Sequence, residues 1–185
     1  MTERHTRRHF LGLAAVAVTG TMAAPAIAAP TIIDPRGAGR RALAFHNLHT
    51  GESLDVVYWA EGNYLPEAES RINYLLRDFR TDTEHRIHPK LLDLLAALKQ
   101  RLRSEQPYLV ISGYRSPATN AMLRATTEGV AKSSFHMSGR AIDIRVPDRP
   151  LAELHRTALE MRAGGVGYYP HSDFVHLDIG PVRHW

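Results

Sequence analysis

The chain has 185 residues, with 23 basic and 19 acidic side chains, no cysteine and a formal net charge of +4. This length allows one domain with a real hydrophobic core, and the lack of cysteine excludes disulfide bonds and a lipid anchor through cysteine. The first 28 residues carry three arginines and one glutamate, a net of +2, so the remaining residues also carry +2. A charge this small does not indicate a nucleic-acid partner.

Residues 1–28 have the pattern of an export signal. A basic start is followed by an apolar run and by small residues that end at Ala28, where we expect cleavage. The pair Arg7-Arg8 before Phe10 is typical of a signal for the twin-arginine export machinery, which carries folded cargo. The alternative is a membrane anchor, but glycine, threonine and proline dilute the run below a good spanning helix. We therefore expect no stable membrane insertion after cleavage.

Residues 29–42 are rich in alanine, proline, glycine and arginine and are predicted to be a linker, with a single domain over residues 43–185. The hydrophobic spacing predicts a β-hairpin over 42–59, helices over 65–80, 88–102, 116–127 and 149–165, and strands over 107–114, 141–146, 165–169 and 174–180. The short links late in the chain do not allow parallel crossovers. The prediction is an α+β fold in which helices pack mainly on one face of an antiparallel sheet.

Two strands carry acid and imidazole on the face opposite their apolar side chains. Alternation places Asp143 on one face of its strand and Ile142 and Ile144 on the other, and His176 is placed in the same way in its own strand. If the strands are near neighbours, Asp143 and His176 point into one cleft. His136 precedes the first of these strands, in a loop that Gly139 allows to fold back.

Two imidazoles and one carboxylate fit a catalytic zinc site, because three protein ligands leave a fourth position for a water whose pKa zinc lowers toward about 7. Spacing alone leaves alternatives open. The chain has 11 histidines, so His136 could be an ordinary surface or hydrogen-bonding residue. Two histidines and a carboxylate also hold iron in oxygenases, and His176 and Asp178 have the short H-x-D form with His184 as the only later histidine.

The motifs SGYRS, SSFHMSGRAIDI and FVHLDIG resemble the M15 family of zinc peptidases, the group of D-Ala-D-Ala carboxypeptidases and murein endopeptidases. The family pattern S-x-H-x-x-G-x-A-x-D followed by a distant histidine falls on Ser134, His136, Gly139, Ala141, Asp143 and His176. Over nearly the whole length after the signal, the chain resembles the branch that includes murein endopeptidase K. The resemblance implies a Hedgehog/DD-peptidase-like fold, zinc held by His136, Asp143 and His176 on the open face of the sheet, and a periplasmic enzyme.

The resemblance also implies roles for residues around the metal. Family members place an acid three residues before the last histidine, and Asp173 stands there as the expected general base. Arg115 is expected to bind a substrate carboxylate or to stabilise the oxyanion. Ser134 is expected to contact substrate. Two roles remain open for Asp178. It could orient an imidazole ligand, or it could be a surface acid at a sheet edge.

The sequence is thus interpreted as a periplasmic zinc-dependent metallopeptidase that hydrolyses peptide cross-links in peptidoglycan. The branch resemblance suggests L,D bonds between two diaminopimelate residues. One alternative is a D,D-carboxypeptidase or D,D-endopeptidase of the same family. The other is a zinc-stabilised wall-binding module without turnover.

Overall fold

The computed structural model describes residues 39–127 and 129–185. The expected export signal lies outside these residues, as does the predicted linker up to residue 38. The first strand begins at Arg40, which is inside the segment predicted as linker. Within the described residues, no helix is long and apolar enough to cross a bilayer.

One mixed sheet and four α-helices form the described part of the chain. The strands are β1 (Arg40–Asn47), β2 (Ser53–Ala60), β3 (Asn63–Tyr64), β4 (Tyr108–Ser112), β5 (Ala141–Arg145), β6 (Gly165–Tyr169), β7 (Phe174–Asp178) and β8 (Arg183–His184). The helices are α1 (Pro66–Leu75), α2 (Pro89–Leu102), α3 (Pro117–Thr126) and α4 (Leu151–Met161).

The strand order is β3-β2-β1-β4-β5-β7-β6-β8. Of the seven pairings among the described residues, five are antiparallel, and the pairs β1–β4 and β6–β8 are parallel. The wholly antiparallel sheet expected from the sequence is therefore corrected to a mixed one. Strands β6 and β7 are joined by a short link and pair antiparallel, as expected. The stretch between β1 and β4 contains α1 and α2, so it is long enough for a parallel crossover.

The hydrophobic core joins leucines of the helices to alternate residues of the strands. Ile142, Ile144 and Val146 belong to this core, as do Leu91 and Leu95 of α2. The leucine spacing of α2 is the clearest helical pattern in the chain, and its bounds agree with the prediction. Along β5, Ile142 and Ile144 belong to this core, whereas Asp143 between them is buried but lies outside it, so its side chain is left for the site.

Helix α1 is shorter than the sequence pattern predicted, because it ends at Leu75 and Phe79 lies in the loop beyond it. The buried Asp78 explains the difference. Its carboxylate accepts hydrogen bonds from the backbone N–H groups of Arg80 and Ser116, at 3.0 and 2.8 Å, which offers the backbone an alternative to another helical turn. Helix α4 also ends differently: its last residue is Met161, and the left-handed C-cap is Arg162, with φ +49°, rather than a glycine.

A 3-10 turn at Phe135–Ser138 leads into β5 and ends at Gly139, whose φ is +62°. A Cβ at this position would collide with the backbone carbonyl oxygen of Arg86. The Gly139 carbonyl also accepts from His88 N–H at 2.9 Å, so the turn is tied to the start of α2. The close approach and the left-handed conformation both require glycine.

We predict that Gly139→Ala lowers the free energy of unfolding by about 3 kcal/mol, since left-handed strain and overpacking add. The matched control is Gly62→Ala, because Gly62 has φ +85° but open space around its Cβ position. Strain alone should cost the control about 1 kcal/mol. Urea denaturation of both variants measures the difference, and equal losses would show that the contact with Arg86 does not constrain the turn.

Candidate metal centre

His136 lies on the 3-10 turn and is almost fully buried, with 2% of its surface exposed. Its Nδ1 lies 2.7 Å from the carbonyl oxygen of Gly113, just after β4. A carbonyl oxygen can only accept, so Nδ1 carries the proton and Nε2 keeps a free lone pair. Ser134, which precedes the turn, accepts from the backbone N–H of His136 at 3.3 Å and so caps the segment that carries the histidine.

His176 lies in β7, and a carboxylate behind it fixes its tautomer in the same way. Its Nε2 is 3.1 Å from Oδ2 of Asp178. Asp178 is fully buried and also accepts from both Nη atoms of Arg183 and from the backbone N–H groups of Gly165 and Gly180. Burial opposes ionisation, but hydrogen bonds from His176 and Arg183 outweigh it and lower the pKa of Asp178. The Nε2 proton therefore points at Asp178 and the Nδ1 atom faces the cleft.

Asp143 joins the two histidines because β5 and β7 pair with Asp143 directly opposite His176. Its Oδ1 lies 2.8 Å from His176 Nδ1 and 3.2 Å from His136 Nε2. Its Oδ2 faces Nη2 of Arg115 at 3.4 Å. Burial opposes its ionisation, but the charges and hydrogen bonds of the two histidines lower its pKa.

His136 Nε2, His176 Nδ1 and Asp143 Oδ1 thus converge, and the two nitrogens are 3.1 Å apart. With both tautomers set from behind, three lone-pair atoms face one another and need a shared positive charge between them. Tetrahedral zinc with ligands at about 2.0–2.1 Å would separate its donors by about 3.3 Å, close to these spacings. The donor set therefore fits a divalent cation.

A proton is the other positive charge that these atoms could share. Burial lowers the pKa of His176, but hydrogen bonds to Asp143 and Asp178 outweigh that effect and raise it to about 9. Burial dominates for His136 and lowers its pKa, although Asp143 opposes the shift. A proton on the His176 ring thus competes with a metal ion for the same position.

The three candidate ligands line a cleft of about 660 Å³ to which Arg115 and Ser134 also contribute. The backbone N–H of Arg115 donates to the carbonyl oxygen of His136 at 3.3 Å, which ties the arginine to the ligand-bearing turn. Its Nε is buried and has no hydrogen-bond partner within the described residues. The guanidinium thus keeps donor capacity beside Asp143.

The structure does not bring Asp173 to the other site residues. It lies in the left-handed region at φ +53°, its carboxylate pairs with Nη1 of Arg145, and 58% of its side chain is exposed. Its neighbours Ser172 and Phe174 line the cleft, whereas Asp173 is not among the lining residues. Its role as general base remains a prediction.

Two cleft residues near the end of the chain were missed by the sequence analysis. Trp185 lies beside His176, with ring centroids 5.3 Å apart, and its Nε1 donates to the Tyr169 hydroxyl at 2.7 Å. Arg183 binds Asp178 on the buried side. The short strand β8, which places both residues, has no periodicity that could have indicated it.

Comparison with known proteins supports the resemblance in the sequence. An M15 family model described as peptidoglycan L,D-endopeptidase MepK matches residues 36–185. The chain belongs to this peptidase family.

Two relatives show how far the similarity extends. The chain is 44% identical over 179 residues to the peptidoglycan L,D-endopeptidase MepK of Escherichia coli (strain K12), and the aligned region covers 97% of this chain and 96% of the relative. It is 42% identical over 146 residues to the probable peptidoglycan L,D-endopeptidase MepK of Haemophilus influenzae, with 78% of each covered. Peptidases of the M15 family are metal-dependent.

We predict that the protein binds one divalent cation and that His136→Ala abolishes binding, because a buried donor is lost. The control is His46→Ala, which removes a histidine that contacts only Ser53 in β2 among the described hydrogen-bond partners. Elemental analysis after dialysis gives the stoichiometry. At a zinc concentration of 100 times Kd, the free energy of unfolding should rise by about 2.7 kcal/mol in the control and not in the His136 variant. Equal zinc content in both variants would contradict the assignment.

Proposed function

We propose that this protein is a periplasmic, zinc-dependent murein endopeptidase that hydrolyses peptide cross-links in peptidoglycan, with the L,D bond between two diaminopimelate residues as its target. The observation that carries the proposal is the convergence of three lone-pair atoms in an open cleft, in a chain of the M15 family. The relatives whose names state an L,D-endopeptidase activity match nearly the whole chain, which supports the choice of bond.

His136, Asp143 and His176 would hold the zinc ion, on the face of the sheet opposite the helix-covered core. Bound there, zinc would supply Lewis-acid polarisation of the scissile carbonyl and would acidify a water. Asp178 holds the His176 ring in the tautomer that leaves Nδ1 free, and the Gly113 carbonyl does the same for His136 Nε2. These contacts orient two of the three ligands before any metal arrives.

Arg115 is proposed to bind a carboxylate of the substrate or the oxyanion that forms during hydrolysis. Its side chain lines the cleft and its Nη2 lies 3.4 Å from Asp143, so the guanidinium stands beside the candidate metal centre, where a substrate oxygen would lie. Ser134 lines the same cleft, and its hydroxyl already caps the turn that carries His136. We propose it as a substrate contact at the rim of the metal centre.

The location of the protein follows from the expected export signal. We propose that residues 1–28 direct the chain through the twin-arginine machinery, that cleavage occurs near Ala28, and that residues 29–42 link the signal to one domain over 43–185. Peptidoglycan lies outside the inner membrane, so an endopeptidase of the cell wall has to be exported.

We predict that the purified protein converts muropeptide dimers joined by diaminopimelate–diaminopimelate bonds to monomers and that a chelator stops the reaction. Chromatography with mass spectrometry of the digest measures both. Release of free D-Ala without loss of dimers would favour the D,D-carboxypeptidase instead. Binding to sacculi with no released product would favour the wall-binding module.

Asp173 is proposed as the general base, which would take a proton from the attacking water and pass it to the leaving amine. In that role Asp173→Asn should lower kcat by about 10²-fold or more. Arg145→Gln is the matched variant, because it frees the same carboxylate from its ion pair and should leave kcat within about threefold. Small and equal effects of the two substitutions would assign Asp173 to the ion pair alone.

A further inference from the structure

The described residues that line the cleft carry an unequal balance of charge. Three arginines, Arg80, Arg115 and Arg183, face a single carboxylate, that of Asp143. Asp143 belongs to the candidate metal site, so it does not neutralise the arginines when a cation is bound. The cleft is therefore built for a ligand that carries negative charge.

The three arginines differ in whether a carboxylate already pairs with the guanidinium. Arg183 is held by Asp178 through both Nη atoms, at 2.6 and 3.1 Å. Arg115 faces Asp143 at 3.4 Å and lies next to the reacting centre. Arg80 is exposed, and within residues 39–127 and 129–185 no carboxylate pairs with it. Its charge is available to a ligand.

Although the Arg80 side chain is exposed, it packs against an aromatic ring, which restricts its motion. Its Cζ lies 4.2 Å from the centroid of the Phe79 ring, and that ring stacks on His49 with centroids 3.9 Å apart and an interplanar angle of 11°. A guanidinium stacked on an aromatic face loses less freedom when it binds a carboxylate. His49 also lines the cleft, so the stack leads into it.

The buried carboxylate of Asp78 fixes the backbone of Arg80 relative to that of Arg115. Oδ1 accepts from the N–H of Arg80 at 3.0 Å, and Oδ2 accepts from the N–H of Ser116, the residue after Arg115, at 2.8 Å. Burial opposes its ionisation, but hydrogen bonds led by that from Ser116 lower the pKa of Asp78 to about 2. The ionised carboxylate of Asp78 thus links the loop that carries Arg80 to the loop that carries Arg115.

The field of Arg80 reaches the other groups in the cleft. After burial, the charge of Arg80 is a cause of the lowered pKa of His49, and it also contributes to the lowered pKa of Arg115. Two cations that disfavour each other across a cleft gain when an anion lies between them.

We propose that Arg80 is a specificity-determining residue that binds a free carboxylate of the diaminopimelate cross-link, at a distance from the carbonyl that is hydrolysed. Diaminopimelate has two amino and two carboxyl groups, and a cross-linked residue uses one amino group in its stem peptide and at most one carboxyl group in the scissile amide. A second carboxyl group therefore lies outside the scissile bond. A guanidinium pairs with such a carboxylate through two parallel hydrogen bonds but gains far less from a neutral carboxamide. The inference rests on the proposed function and names which form of the substrate the cleft takes.

The test compares muropeptide dimers with free diaminopimelate carboxylates against the same dimers with carboxamides. The wild-type protein should cleave the free acid with about tenfold higher kcat/KM, mainly through a lower KM. Arg80→Gln should lose that tenfold on the free acid and keep the wild-type value on the amide, so the preference disappears. Because Arg80 is exposed, the variant should keep the wild-type Tm.

Arg156→Gln is the matched control, since Arg156 is 72% exposed on α4, outside the cleft. It should retain the preference for the free acid, and Arg80→Lys should retain part of it through charge alone. Equal losses on acid and amide in Arg80→Gln, or no preference in the wild type, would overturn the inference while leaving the endopeptidase intact. If the wild type cleaves neither dimer, the proposed function itself is wrong.

Discussion

The site depends on two hydrogen bonds that approach the histidines from behind. Gly113 offers a carbonyl oxygen to His136, and Asp178 offers a carboxylate to His176, so the second nitrogen of each ring points toward Asp143. Without these partners the imidazole rings could turn, and a cation would have to reorient them before it could bind. The fold therefore orients both imidazole rings before a cation binds. Burial and hydrogen bonding elsewhere in the fold supply the free energy that holds the rings in these orientations.

The sheet supplies the distances. Pairing of β5 with β7 sets Asp143 opposite His176, and pairing of β4 with β5 brings the end of β4, and with it Gly113, next to the turn of His136. A slip of one residue in either pairing would move Asp143 to the face occupied by Ile142 and Ile144 and destroy the core together with the site. Stability and the geometry of the candidate ligands are thus under the same constraint, because both depend on the register of β5.

Local pattern predicted much of this arrangement. Alternation around Asp143 and His176 indicated a shared polar face, the leucines of α2 gave its bounds, and Ser116 caps α3 as its residue type favours. The features that local pattern does not indicate depend on long-range partners. Asp173 matches a family position, but its pairing with Arg145 brings together residues 28 apart in sequence. The early end of α1 is explained by Asp78 binding a segment 38 residues away. No periodicity encodes such contacts.

The acids around the cleft lie on its buried side. Asp178 neutralises Arg183 while it orients His176, and both carboxylate oxygens of Asp78 accept hydrogen bonds from backbone N–H groups. On the side that faces substrate, the described residues offer arginines and the candidate cation site but no spare carboxylate. In the proposed function, an anionic peptide would be drawn toward the candidate metal centre, whereas a neutral peptide of the same shape would gain only shape complementarity. The buried acids that hold the site together thus leave the cleft surface to basic side chains, and this charge placement is the physical basis of the proposed preference for an anionic substrate.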